Sequence, residues 1–236
     1  MKKTKWLAAC IAAAFALALV IGCSSGDDDE PDLPGVVETD KPETDEPETD
    51  KPEKDEPELP GIKYDPEKWG IEGTTVVGYY GNEADVRIPN GVTAIGRDAF
   101  SWRTSLASVT IPGSVQSIGR DAFSHCRNLA SVEIPDGVKS IGIMAFSCCE
   151  SLASVTIPAS VESIGKDAFE LCYSLTKVTI GDGVKSIGET AFGGCRSLAE
   201  VKYGGTAEQW KQINIGSGAF PSAAKITDKE GNEIKK

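Results

Sequence analysis

Residues 106–128 read LASVTIPGSVQSIGRDAFSHCRN, and residues 129–151 read LASVEIPDGVKSIGIMAFSCCES. The second stretch is the first again, 23 residues on, with Leu, Val, Ile-Pro, Val, Ile-Gly, Ala-Phe and Cys in the same places. The pattern runs outward in both directions. Ile-Pro pairs begin at Ile88, Ile111, Ile134 and Ile157, and Ile180-Gly181 continues them; Ala-Phe pairs begin at Ala99, Ala122, Ala145, Ala168 and Ala191. Two independent landmarks with one spacing make residues 86–200 five copies of one supersecondary unit. Such units bury their apolar faces against their neighbours rather than alone.

Within a unit, Val109-Thr110-Ile111 alternates inward and outward and is β-branched, and Pro112, which has no N–H for a ladder, stops it. That is a short strand. Asp121 just before Ala122-Phe123 suits the start of a single helical or 3₁₀ turn. The inward set is Val109, Ile111, Val115, Ile118, Ala122, Phe123, Cys126 and Leu129. Both ends read as caps. Residues 61–85 form the first, with a strand over Thr74–Tyr80 and a turn at Gly81-Asn82. Residues 201–236 form the second, a degenerate unit in which Thr206-Ala207-Glu208-Gln209 opens a short helix with a capping box. There Gly218-Ala219-Phe220 repeats the Ala-Phe landmark five residues late, and Ile226–Ile234 closes as a hairpin around Gly231-Asn232.

Ahead of the repeats the composition changes twice. Residues 1–22 are a basic start followed by an uncharged apolar run over Trp6–Gly22, the pattern of a secretory signal and short for a transmembrane helix. Residues 23–60 are acidic and Pro-rich, with Pro42, Pro47, Pro52 and Pro57 at intervals of five. A stretch with so little to bury and so much like charge is expected to be a disordered, extended tether. At about 3.1 Å per residue it reaches on the order of 100 Å. Most of the chain's formal charge of −12 belongs to this tether, so the repeat body is nearly neutral. It lacks the basic excess that phosphate backbones require, and nucleic acid is not an expected partner.

The pattern Leu106-x-x-Val109-x-Ile111-Pro112-x-x-Val115-x-x-Ile118-Gly119-x-x-Ala122-Phe123-x-x-Cys126 closely resembles the BspA-like leucine-rich repeat family. Val20-Ile21-Gly22-Cys23 resembles the bacterial lipobox, whose Cys is lipidated and becomes the first residue of the mature protein. Together these resemblances imply a leucine-rich repeat solenoid of mostly short β-strands with 3₁₀ or short helical turns, capped at both ends and preceded by a disordered tether. They imply a lipoprotein held at the bacterial outer membrane or cell surface through Cys23 and binding proteins or cell surfaces, adhesin-like, as a monomer. The acid cluster Asp27-Asp28-Asp29-Glu30 resembles a surface-export signal and reads equally as the start of the tether. An envelope-organising lipoprotein facing the periplasm and a carbohydrate-binding accessory protein stay open as alternatives. The departures from the repeat are Arg103 in place of Cys, Gly181 in place of Pro, and Ile143-Met144 where the other copies are polar.

Catalysis lacks its usual parts. His125 is the only histidine, no nucleophile motif is present, and Asp98, Asp121 and Asp167 read as turn caps. No enzyme activity and no cofactor are expected. Cys126, Cys149, Cys172 and Cys195 share one column and read as small core fillers, with Cys148 outside it as the most reactive thiol. Binding then falls to the exposed columns, whose ligand would be a protein or glycan on a host or microbial surface. One candidate is the outward strand row Arg87, Thr110, Glu133, Thr156, Thr179 and Lys202, beside Asp85, Ser108, Ser131, Ser154, Lys177 and Glu200. The other is the row Trp102, His125, Cys148 and Leu171, with Ile143, Met144 and Tyr173 near it.

Overall fold

Each unit makes two strands rather than one. In the computed structural model, residues 63–234 are described. The chain divides into two units, Met1–Glu53 and Lys54–Lys236, and every described residue belongs to the second. The expected signal segment, Cys23 and the tether up to residue 60 lie outside the described residues.

The elements in chain order are β1 (Trp69–Glu72), β2 (Thr75–Tyr79), β3 (Asp85–Arg87), β4 (Ala94–Ile95), β5 (Ser108–Thr110), β6 (Ser117–Ile118), β7 (Ser131–Glu133) and β8 (Ser140–Ile141). They continue as β9 (Ser154–Ile157), β10 (Ser163–Ile164), β11 (Lys177–Ile180), β12 (Ser186–Ile187), β13 (Glu200–Tyr203), α1 (Ala207–Trp210), β14 (Asn214–Ile215) and β15 (Lys225–Thr227). Strands of successive coils pair in parallel with a constant offset: Val109 lies beside Val132, and Ile141 beside Ile164. The Val-x-Ile strands form two sheets, β3-β5-β7 and β15-β13-β11-β9. Between them Ala153 N–H still donates to the Ala130 carbonyl at 3.3 Å. The Ser-Ile pairs build a second wall, the eight-stranded sheet β1-β2-β4-β6-β8-β10-β12-β14.

The third side of each coil holds the Asp-Ala-Phe turn. Ser124 N–H reaches the Asp121 carbonyl at 3.1 Å, a single turn that does not continue. The reason lies in the alternate amides. Asp121, Phe123 and His125 donate not within the coil but to Ile143, Ala145 and Ser147 of the next, at 2.9, 2.7 and 2.8 Å. Turning those amides along the stack puts two residues per coil in the left-handed region. One row is Asp98, Asp121, Met144, Asp167 and Thr190 (φ 49–58°), and the other is Trp102, His125, Cys148 and Leu171 (φ 58–63°). The Asp residues read as turn caps therefore hold left-handed positions instead, a conformation Asp tolerates better than most residues.

The core is a set of columns. All eight predicted inward residues of the 106–128 copy and its first successor residue are buried, none more than 6 % exposed. The Phe rings stack at the coil spacing: Phe100–Phe123 at 4.8 Å, then 5.1 Å from Phe123 through Phe146, Phe169 and Phe192 to Phe220. Tyr79 begins this stack, 5.3 Å from Phe100. Trp69 tilts over Tyr79 at one end and Trp210 over Phe220 at the other.

Both caps carry findings. At the amino end, β1 and β2 are an antiparallel hairpin around Gly73-Thr74, so the turn is there and not at Gly81-Asn82. Strand β2 pairs in parallel with β4, so the stack starts one coil before the first Ile-Pro landmark. At the carboxyl end the reading is met closely. Thr206 and Gln209 form the capping box of α1, Ala219 accepts from Phe192 N–H at 2.8 Å as an in-register Ala, and Glu233 bridges back antiparallel to Thr227.

The amino-end cap is pinned by Glu83, which accepts from Lys68 and from the buried Tyr79 hydroxyl. These donors hold its carboxyl down at about 2, from an ordinary 4.5. Burial, reinforced by the bond to Glu83, pushes Tyr79 up to about 12. A carboxylate depressed in the folded state contributes its stability above its unfolded pKa and loses it as pH falls through the folded value. Denaturant midpoints are therefore expected to decline between pH 4.5 and 2 in part through this site. Glu83→Gln should lower the midpoint at pH 6 and leave it nearly unchanged at pH 2; an equal loss at both values would show that the carboxylate charge is not the cause.

Candidate binding faces

The strand face presents the predicted row as a flat polar surface. Arg87, Thr110, Glu133, Thr156 and Lys202 are exposed and Thr179 is half-buried. Alternation places Val86, Val109, Val132, Val155, Val178 and Val201 inward beneath them. Neighbours in the adjoining row satisfy one another: Ser108 donates to Asp85, and Lys177 pairs with Glu200 at 3.1 Å. Exposed pairs of this kind contribute little to stability. Around Ser108, Thr110, Ser131 and Glu133 lies a shallow groove of about 350 Å³. This face can offer hydroxyls and scattered charges, and no large apolar side chain.

The turn face is different. Trp102 is 60 % exposed, and its indole stacks on the His125 imidazole at 3.9 Å and 8°. His125 Nδ1 is buried in that contact without a hydrogen-bond partner. Leu171 leans over the next coil, where a Cβ on Gly194 would lie 2.7 Å from its Cδ2. The structure thus brings Trp102, His125, Cys148 and Leu171 into one column, as the repeat spacing predicts. What sequence spacing did not reveal is their backbone. A left-handed residue with a side chain costs roughly 1–2 kcal/mol, and in the fifth copy this position is occupied by Gly194 at φ 68°, which avoids the cost. Four strained non-glycine residues and an unpartnered imidazole nitrogen make this row a poor choice for stability alone.

Two further rows complete the face. Ile143, 40 % exposed, stands among Arg97, Arg120, Lys166 and Glu189. Tyr173 lies under the Arg196 guanidinium at 5.4 Å, and Arg127 meets Glu150 at 3.3 Å.

The column cysteines are structural. Cys126, Cys149, Cys172 and Cys195 are buried and free, and each thiol donates to a Phe carbonyl of the preceding coil, at 3.1, 3.3, 3.3 and 3.1 Å. Burial pushes Cys126 up to about 12 and Cys149 well above its ordinary range, so these two thiols stay protonated, whereas the hydrogen bond with Cys172 lowers Cys195. Arg103, which takes the Cys position in the first copy, has its Nε buried without a partner. Cys148 is partly exposed, 3.7 Å from Ser147 Oγ. Among the described residues no group of three or more His, Cys, Asp or Glu is placed to hold a metal ion, and no helix is long and apolar enough to cross a membrane.

The family described as BspA type leucine rich repeat region matches residues 79–199, in 6 copies. Among solved structures, the chain is 35 % identical to a leucine rich cell surface protein from Faecalibacterium prausnitzii, with a TM-score of 0.57 over 59 % of this chain and 38 % of that one. It therefore spans well under half of that protein's length. It is 31 % identical to the T. pallidum leucine rich repeat protein TpLRR, with a TM-score of 0.54 over 70 % of this chain and 81 % of that one. The pneumococcal vaccine antigen PcpA, 20 % identical with a TM-score of 0.56 over 66 % and 39 %, shares the fold. No curated protein matches the chain in sequence.

Proposed function

Because the chain belongs to the BspA-type leucine-rich repeat family, we propose that it is a bacterial surface protein that binds other macromolecules, adhesin-like, through its exposed columns. The observation that carries this reading is a contrast within the repeat. The Ile, Ala and Phe core columns are the same from copy to copy, with the Phe rings in an unbroken stack, whereas the turn-face row runs Trp102, His125, Cys148, Leu171, Gly194. A rigid frame with variable exposed positions is what a binding scaffold needs.

Lipid attachment at Cys23 and a tether over residues 24–60 complete the proposal, carrying the repeat body away from a membrane. More than one acyl chain makes such anchoring stable. The likeness to a leucine rich cell surface protein supports a location at the cell surface.

The test is direct. The full chain is probed against arrays of matrix proteins and glycans, and intact cells producing it are treated with added protease. The expected results are retention of at least one surface component, with loss of most of that signal in Trp102→Ala, and cleavage of the repeat body on intact cells. Protection from protease together with blank arrays would overturn the proposal.

A further inference from the structure

The turn after the first Val-x-Ile strand differs from its counterparts. The chain has five asparagines, Asn82, Asn90, Asn128, Asn214 and Asn232, and Asn90 alone precedes a glycine. The others stand before Glu83, Leu129, Ile215 and Glu233. Asn90 and Gly91 are both exposed, and Gly91 lies in the left-handed region at φ 93°. Val92 N–H closes the turn at 3.5 Å from the Pro89 carbonyl, longer than an ordinary amide hydrogen bond. In the third copy the matching residues are Asp136 and Gly137, and there Gly137 N–H donates to Ser160 Oγ at 3.2 Å. Ser114 is the counterpart of Ser160 one turn earlier, and its hydroxyl donates to the Val92 carbonyl at 2.6 Å. Among the described residues no hydrogen bond takes up the Gly91 N–H or the Asn90 side-chain amide.

A nucleophile and a carbonyl carbon tethered this closely react with a large advantage over separate molecules. Gly91 N can attack Asn90 Cγ; the Cγ–Nδ2 bond breaks, and Nδ2 leaves as ammonia with the proton that Gly91 N gives up. A five-membered succinimide remains, in which Gly91 N is bonded to both carbonyl carbons of residue 90. Water then opens the ring. Cleavage at Cγ leaves aspartate in an ordinary chain, and cleavage at the main-chain carbonyl leaves isoaspartate, whose chain runs through the β carbon. Nothing is oxidised or reduced, since one water enters and one ammonia departs. A side chain on the following residue would crowd the attacking nitrogen, and glycine has none.

We propose that Asn90 is a self-modifying position, at which the folded chain exchanges an amide for a carboxylate and adds one negative charge beside the strand face, three residues beyond Arg87. The aspartate product suits the fold, because Asp136-Gly137 and Asp182-Gly183 occupy the same turn in later copies. The isoaspartate product lengthens by one carbon a turn that directly follows the bond from Ile88 N–H to the Thr110 carbonyl at 3.0 Å. The reaction is independent of which ligand the exposed columns take.

The experiment incubates the full chain at mildly alkaline pH in water enriched in heavy oxygen, folded and in urea, and weighs its tryptic peptides after digestion in ordinary water. The peptide Ile88–Arg97 is expected to gain one heavy oxygen at Asn90 at least ten-fold faster than any of the other four asparagines does. An isoaspartate-specific carboxyl methyltransferase should label part of the product. Asn90→Gln, which would need a six-membered ring, should slow the exchange at least ten-fold with an unchanged circular dichroism spectrum. Asn90→Asp should fold and co-migrate with the aspartate product on ion exchange. Exchange no faster than at Asn82 or Asn232 overturns the proposal. So does exchange confined to the chain in urea, because the folded turn would then hold the two groups apart.

Discussion

Gly142→Val is expected to break the stack between its second and third copies. A Cβ at Gly142 would lie 2.5 Å from the Gly119 carbonyl carbon and 2.7 Å from Arg120 N, both backbone atoms that cannot swing aside. Overpacking against mobile side chains costs about 1–3 kcal/mol; here the coils themselves must separate, so the loss should exceed about 3 kcal/mol. The same close approach recurs at Gly165, 2.6 Å from Gly142, which is why glycine follows Ile in every copy. Stability in a repeat stack is a sum over neighbours, so the damage should be local. Calorimetry is expected to resolve two transitions, the coils before Gly142 melting apart from those after it. A single transition within about 1 kcal/mol of the parent would show that the coils have slack the structure denies.

Phe146→Ala is the second large effect. The ring is fully buried between Phe123 and Phe169, 5.1 Å from each and nearly parallel to both. Truncating a buried Phe costs about 3–5 kcal/mol through lost transfer energy and the cavity left behind. A position inside a column should fall at the upper end, because two rings lose a partner and the fixed coil spacing prevents collapse. Phe220, at the end of the stack and only partly buried, should lose less than half as much on the same change. Urea midpoints at constant m-value measure both. Equal losses at the two positions would mean that the column is not a cooperative unit.

What was legible in the sequence follows from which atoms repeat. Val109, Ile111, Val115, Ile118, Phe123, Cys126 and Leu129 report their burial because the same side chains return every 23 residues, and the Thr206–Gln209 capping box is visible because it depends on two side chains at fixed spacing. Backbone-driven features were less visible. Strands of two residues such as Ser117–Ile118 are too short to show alternation, so the second wall did not announce itself. Gly73-Thr74 did carry a hairpin signal, a glycine at the first turn position, but the strand before it, Trp69–Glu72, has no alternating pattern of its own. The left-handed rows were hidden because Trp102, His125 and Leu171 are not residues that such a backbone favours. Only Gly194 in the same column hinted at it. Ile143 and Met144 were visible as departures in the third of the five copies.

The turn-face amides have an electrical consequence. Asp98, Phe100 and Trp102 donate to Arg120, Ala122 and Ser124, and the same three bonds recur coil after coil, always from the earlier coil to the later. Each peptide carries about 3.5 D, and along this side they add head to tail as they do in a helix, although the described residues of this side form none. The carbonyl end of the array is the amino-terminal one, where Arg97 and Arg120 stand; the N–H end is nearer Glu170 and Glu189. Every repeat gained or lost by such a protein would lengthen or shorten this dipole by one step while leaving its direction unchanged, so repeat number sets the strength of a field whose sense is fixed by the direction of the chain.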